Sequence, residues 1–316
     1  MAISIGSAVG AGFNLVGRRP ISVVGWGFFT YATLFALLGI GAAIVGLPVL
    51  QRLAALRGQT PDPTQFGQMM LGMLIALWPA LVLVMIGALF VGAVVQGAVI
   101  RSVLTPDERG FASLRFGRAE LALVLLALLY VPIFLAAVVV SSLYTGAIVA
   151  AGHLIHGLAG GLLVFVACVA YAVGFMWVAL RFSLAAPMTF TAGAVRFLGS
   201  WTLTKGEGWR LFWMAWLLVL IWFAVSIAYS IVSSIVNVVF TGAAMASIVA
   251  SAGASSSSTA GVDAMMAHWP ILALAVIPSL LMGAAFNGLI QAISQGPWVD
   301  VYRQLKGSPD VAATFS

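Results

Sequence analysis

Long apolar runs separated by short polar or basic connectors organise this chain. Residues 20–50, 69–100, 120–151, 162–185, 209–250 and 269–293 are dominated by Ala, Val, Leu, Ile, Phe and Trp. A helix of about 20 apolar residues crosses the hydrocarbon core of a bilayer, so each run is long enough to span it. The pattern predicts an all-α polytopic membrane bundle of six transmembrane helices, one domain over residues 1–316. Trp26 and Tyr31 sit near the start of the first run as interfacial anchors. Pro132 marks a kink in the third run and Pro278 interrupts the sixth. The fifth run is longer than a bilayer needs, so it tilts strongly or projects into water.

Shorter amphipathic segments lie between and around the runs. Residues 1–19 are too short and too rich in glycine and serine to span. Ile5, Val9, Phe13 and Val16 fall on one helical face and Ser7, Gly10 and Asn14 on the other, which predicts an interfacial helix. Arg18 and Arg19 follow this stretch instead of preceding it, so it is expected to be retained and not cleaved as a signal. Thr105, Pro106 and Glu108 have the spacing of a capping box with proline at the first helical position. Phe111 and Leu114 would then dip into lipid while Arg109, Arg115 and Arg118 face phosphates. Thr204 and Glu207 repeat the capping spacing before Trp209, and Pro187 is expected to stop the fourth helix. The segment SAGASSSSTAGVD, residues 251–263, reads as a flexible loop. Residues 298–307 read as a separate amphipathic tail.

Composition fixes the solvent. Hydrophobic residues make up 63% and charged residues 7% of the 316, against roughly 25% charged in soluble domains. Lipid must therefore surround most of the chain. The single cysteine, Cys168, excludes an internal disulfide and reads as a small packing residue. Charge fixes the orientation. Of 14 Lys and Arg, twelve fall on the side of the N-terminus, and only Arg52 and Arg57 fall on the other. The positive-inside rule then places both termini in the cytoplasm. The repeating unit is a basic surface segment followed by a hairpin of two spans.

The central basic loop carries Arg181, Pro187, the run Ser200-Trp201-Thr202-Leu203-Thr204-Lys205-Gly206, then Trp209 and Arg210. This set resembles the signature of a bacterial six-span inner-membrane family related to the membrane domain of glycerophosphoryl diester phosphodiesterases. The closing Pro297 to Leu305, with Tyr302, is similar to that group's last segment, and the loop RSVLTPDERGFASLRFGRAE looks like its alphaproteobacterial members. The resemblance implies a fold and an inner-membrane address, not an activity. Where such a domain is fused to a phosphodiesterase, the chemistry belongs to a separate soluble barrel, and these residues contain no sequence like that barrel.

The residues themselves point away from catalysis. A metal hydrolase needs clustered carboxylates and histidines, whereas eight acids are scattered over several loops. His153 and His156 supply two potential ligands, which do not close a metal site. No phosphate-cradling glycine loop is present, and glycines such as Gly160 and Gly161 read as close-packing positions. No cofactor, metal or nucleic-acid partner is expected. Polar groups within the spans are the remaining candidates, because burying them in lipid is costly unless something satisfies them. They are Gln96, Glu120, Asn237, Asn287 and Gln291, with Gln295 continuing a spacing of four. Helix-to-helix hydrogen bonding explains them, as does a polar cleft, and an ion pair of Glu120 with Arg101 or with Arg181 would be structural. The basic loops serve topology and attract anionic lipid. A sharper expectation is that Arg101, Arg115, Arg181, Arg196, Lys205 and Arg210 meet the phosphate of a phospholipid.

The reading is a non-enzymatic inner-membrane protein that organises or binds lipid, above all anionic phospholipid, or supports a membrane complex. The alternative is a transporter or permease subunit, which the proline-broken spans and the amides of the sixth run favour. The lack of an acid deep within a span disfavours proton coupling.

Overall fold

The computed structural model describes residues 3–55, 63–105, 113–155, 157–253 and 268–307, and the described residues form helices without a strand. In chain order they are α1 (Ile5–Arg18), α2 (Pro20–Ala55), α3 (Pro63–Leu104), α4 (Arg118–Ile155) and α5 (Gly157–Phe182). The short α6 (Ala185–Ala192) and α7 (Gly199–Leu203) follow. Then come α8 (Gly208–Asn237), a π turn (Val238–Gly242), α9 (Ala243–Gly253) and α10 (Trp269–Lys306). Six helical stretches are long and apolar enough to cross a membrane: Pro20–Ile44, Leu77–Leu104, Arg118–Ile155, Gly157–Ala192, Gly208–Ala250 and Trp269–Lys306. In lipid no water can satisfy a free backbone group, so helices are the form such runs adopt. The fold is an integral membrane helical bundle.

One end of the bundle is packed like the interior of a soluble protein. Ala8, Val9, Leu184, Leu211, Met214 and Val301 form one buried cluster, and Leu15, Val23, Trp26, Val95 and Ala292 form a second. Ile100, Leu123, Ala185, Phe190 and Val299 form a third. All three draw on α10, which packs against α1, α2, α3, α6 and α8 and is the hub of the fold. Among the described residues every Lys and Arg except Arg52 lies at this basic end. Toward the far end the helices turn Phe134, Leu143, Val166, Phe223 and Leu274 outward. Lipid solvates such side chains as well as a neighbouring helix would, so nothing drives them together.

Where the spans do close, small residues let backbones approach. Ala284, Gly288, Ala292 and Gly296 repeat at every fourth position of α10. A side chain on Gly288 would collide with the Val23 carbonyl of α2, and one on Gly27 with the Ala284 carbonyl. Gly296 meets Gly12 of α1 in the same manner, and Gly160 of α5 meets Gly152 of α4. Gly161 meets nothing within 4 Å, so only the first member of that predicted glycine pair packs.

Several expectations are corrected. The tail 298–307 is not separate, because α10 runs unbroken through Pro278 and Pro297 to Lys306. Its last turns bury Val299, Val301 and Tyr302, and that packing holds the helix past the amide that Pro297 lacks. Helix α1 packs Ile5, Val9 and Val16 of the predicted face against the core but leaves Phe13 exposed, and its buried residues also include Ala8, Gly12 and Leu15. Close approach to α10 selects the small residues. Helix α5 ends at Phe182, before Pro187, which instead occupies the first turn of α6, where its missing N–H costs nothing. Thr204 does not cap α8. Its hydroxyl donates back to the Ser200 carbonyl at 2.9 Å, and α8 begins after Glu207 with no side-chain cap. The fifth span resolves into α8, the π turn and α9. Cys168 is exposed on α5 and packs no core. The capping box at Pro106 and Glu108, with Arg109 and Phe111, lies outside the described residues, as do Arg57, His156 and most of the serine-rich loop.

Candidate functional site

Two arrangements at the basic end hold the cations predicted to meet phosphate. In the first, Arg101 in the last turn of α3 pairs with Glu120 in the first turn of α4. The Arg101 side chain is 12% exposed and that of Glu120 2%, so this is a buried ion pair. Arg101 Nη1 also donates to the Ser113 carbonyl, and Arg19 Nη1 donates to the Ser113 hydroxyl at 3.3 Å. Glu120 Oε2 accepts from the Gly117 N–H at 3.0 Å, closing half of a capping box on α4. Phe190 lies 5.5 Å from the Arg101 guanidinium, and Gly97 leaves room for the carboxylate, since a Cβ there would sit 3.0 Å from Glu120 Oε1. Arg101 is therefore engaged by Glu120, the Ser113 carbonyl and the Phe190 ring.

The second arrangement surrounds Arg181. This side chain ends α5 between Trp177, 4.8 Å from its guanidinium, and Trp201 of α7, at 5.7 Å. Its Nη1 donates to the Thr204 carbonyl at 2.5 Å. Ser200 locks the loop by donating to the Arg181 carbonyl at 2.7 Å and accepting from the Leu184 N–H at 3.2 Å. Phe182 and Phe197 stack at 4.2 Å behind it. Gly206, with φ of 91°, turns the chain into α8. Gly208 then faces Arg181, where a Cβ would lie 3.7 Å from Nη2. The guanidinium is thus packed against two tryptophans that meet edge to face at 5.4 Å and is held at one corner, while its Nε is buried with no hydrogen-bond partner among the described residues.

Lys205 is exposed immediately after the Thr204 carbonyl that Arg181 grips. Arg210 is tied to Glu207 at 3.0 Å. Arg196 has an exposed side chain, and its backbone N–H donates to Thr189 Oγ1 at 3.1 Å. Arg115 is exposed in the loop before α4. The structure thus places Arg181 at the end of α5, Lys205 just after α7 and Arg210 in the first turn of α8, and Arg101 in a separate buried pair. Arg181 does not pair with Glu120.

Of the five predicted intramembrane polar residues, three lie along one line. Ser279, Gly283, Asn287, Gln291 and Gln295 repeat at every fourth position of α10, a stripe that winds about 40° around the helix at each step. Ser279 donates to Asn237 Oδ1 of α8 at 2.9 Å, and Asn237 Nδ2 donates to the Ser233 carbonyl at 2.9 Å. Gln291 Nε2 donates to Asn287 Oδ1 at 2.7 Å and approaches Thr30 Oγ1 of α2 at 3.4 Å. Between these, the hydroxyls of Tyr31 (α2) and Tyr229 (α8) come within 3.0 and 3.4 Å of where a Gly283 Cβ would sit. Tyr229 stacks on Phe286 at 3.9 Å. Glu120 stands apart in its ion pair. Gln96 is half-buried on α3, outside this line.

Tyr229 and Ser279 have no place in the reading of the sequence, and Tyr31 enters it only as an interfacial anchor. Ser279 and Gly283 extend the spacing of Asn287, Gln291 and Gln295, a signal that was readable; the tyrosines arrive from distant segments and carried none. No group of three His, Cys, Asp or Glu able to hold a metal occurs among the described residues. Comparison with protein-family models, with curated proteins and with solved structures gives no match.

Proposed function

We propose that this is a non-enzymatic protein of a bacterial inner membrane that binds anionic phospholipid at its basic end, with that end in the cytoplasm. The observation that carries the reading is the Arg181 site. A guanidinium packed against two tryptophans and gripped at Nη1 by the Thr204 carbonyl presents its remaining amino group to a phosphate oxygen in a fixed orientation, and arginine suits that recognition. Lys205 beside it adds a cation at headgroup depth, where each is worth about 1 kcal/mol toward anionic lipid. The asymmetry of described Lys and Arg supports the cytoplasmic placement through the positive-inside rule. The resemblance of the Arg181 to Arg210 segment to the six-span family supports the inner-membrane address.

Mass spectrometry of the purified protein tests the reading. The wild-type chain should retain phosphatidylglycerol, and Arg181→Gln combined with Lys205→Gln should lose most of it. Equal retention by both would overturn the assignment. The second reading, a permease for a small solute, is favoured by the amide line on α10, and uptake of a solute panel into proteoliposomes distinguishes it.

A further inference from the structure

Gly208 is a glycine that neither its backbone nor its packing requires. It opens α8 with a φ outside the left-handed region, so the backbone would accept alanine. A Cβ built on it would lie 3.7 Å from Arg181 Nη2, 3.8 Å from Trp177 Nε1 and 4.0 Å from Arg181 Cζ, which is ordinary contact and not a clash. Gly27, Gly160 and Gly288 differ, because a Cβ there would collide with a carbonyl of the neighbouring helix. Alanine also forms helix better than glycine. The three atoms nearest that point belong to two side chains, and two of the three are nitrogens that donate hydrogen bonds.

We propose that the space over Gly208 seats a phosphate oxygen between Arg181 Nη2 and the Trp177 indole N–H, and that Gly208 and Trp177 make the basic end recognise phosphate and not charge alone. Three observations carry this. First, both donors are held in place before a ligand arrives. Trp177 and Arg181 stand four apart on α5 and so lie on one side of it, with the guanidinium 4.8 Å from the Trp177 ring. Trp201 meets Trp177 edge to face, and the Thr204 carbonyl holds Arg181 Nη1. Little side-chain freedom is left to lose on binding.

Second, guanidinium and indole nitrogens only donate, so the space they border suits an oxygen that only accepts. Phosphate offers several such oxygens, and the two donors can take different ones. Third, the local field is positive. Helix α8, 30 residues long, begins here without a side-chain cap, and the positive end of its dipole adds to the Arg181 charge. Lys205 is exposed nearby, and the adjacent acid, Glu207, has its carboxylate held by Arg210 at 3.0 Å. The inference rests on the phospholipid reading for the source of its ligand, since a headgroup phosphodiester and free phosphate present the same oxygens.

The test follows the melting temperature of the full chain in neutral detergent, titrated with phosphatidylglycerol or with inorganic phosphate. Without ligand, Gly208→Ala should melt at or above the wild type. With ligand it should show no shift, because its methyl group takes the seat. Trp177→Phe keeps a ring against Arg181 but loses one donor, and should need about tenfold more ligand for a half-maximal shift. Neither substitution changes a charge, so attraction by charge alone predicts wild-type shifts in both.

A shift with phosphatidylglycerol only, lost in Gly208→Ala, supports the seat with a lipid headgroup as its ligand. A shift with inorganic phosphate that Gly208→Ala also loses supports it with the phosphate group itself. A wild-type shift in Gly208→Ala overturns the proposal, as does the absence of any shift in the wild-type protein. A lower melting temperature of Gly208→Ala without ligand would give the glycine a structural reason and overturn it too. If Arg181→Gln with Lys205→Gln loses its phosphatidylglycerol while Gly208→Ala keeps the shift, the seat falls and the lipid reading stands. If that double variant retains the lipid while Gly208→Ala loses the shift with inorganic phosphate, the lipid reading falls and the seat stands.

Discussion

Gly27 and Gly288 meet backbone to backbone where α2 crosses α10: a Cβ on Gly27 would lie 2.8 Å from the Gly288 nitrogen, and one on Gly288 3.1 Å from the Gly27 nitrogen. Within a bilayer this is how helices associate, because close approach maximises dispersion contacts where no hydrophobic force acts between them. Neither position can accept a side chain without moving a backbone. Gly27→Leu or Gly288→Leu should therefore destabilise the bundle at or above the roughly 1–3 kcal/mol typical of overpacking. The check is the loss of a monodisperse thermal transition in detergent. Gly39→Leu, also on α2 but with nothing within 4 Å, should leave that transition where it is.

The buried pair of Arg101 and Glu120 makes a different prediction. Replacing Glu120 by Ala strands the Arg101 charge at low exposure and removes the cap on α4, a loss on the order of 3–5 kcal/mol for a broken buried pair. Arg101→Leu together with Glu120→Ala removes the stranded charge as well. The double variant should be more stable than Glu120→Ala alone, and denaturation of the wild type, Glu120→Ala, Arg101→Leu and the double variant in a double-mutant cycle measures the coupling. Additive losses would show that the two side chains do not act as a unit.

The six spans were legible because long apolar runs have few alternatives in lipid, and the Arg101 to Glu120 pair was legible because opposite charges flank one short loop. The unbroken α10 was not. Pro297 is a local breaking signal, and only the burial of Val299, Val301 and Tyr302 by distant segments overrides it. On helix α1 the contact of Gly12 with Ala292 and Ile293 of α10 was not legible either, since only the approach of a distant helix demands a small residue there. Thr204 has capping spacing, yet its hydroxyl turns back to the preceding turn and its carbonyl goes to Arg181. On α10 the Asn287 and Gln291 spacing could be read, while the Tyr31 and Tyr229 contributions depend on helices some 200 residues apart in sequence.

If Arg181 holds phosphate through its planar fork, charge alone will not replace it. Added phosphatidylglycerol should raise the melting temperature of the wild-type protein in neutral detergent. The stabilisation can reach about 2.7 kcal/mol at about 100 times the dissociation constant. Arg181→Lys keeps the charge but loses the fork and the stacking on Trp177 and Trp201, so it should lose most of that lipid-dependent shift. Full retention of the shift by the lysine variant would show simple surface attraction.

Orientation follows from the same basic end and is tested without reference to any ligand. Thr202 is exposed on α7 at the basic end, and His153 is exposed in the last turn of α4 at the far end. Because Cys168 is the one cysteine, Cys168→Ser gives a thiol-free background. On that background, Thr202→Cys should resist a membrane-impermeant maleimide in intact bacterial cells stripped of their outer barrier and react once the inner membrane is opened. His153→Cys should react before opening. The positive-inside rule demands this order, since the cations of the basic end resist translocation. Labelling of both positions from the same side would contradict a bundle spanning the membrane between them, and the reverse order would place the Arg181 site outside the cytoplasm.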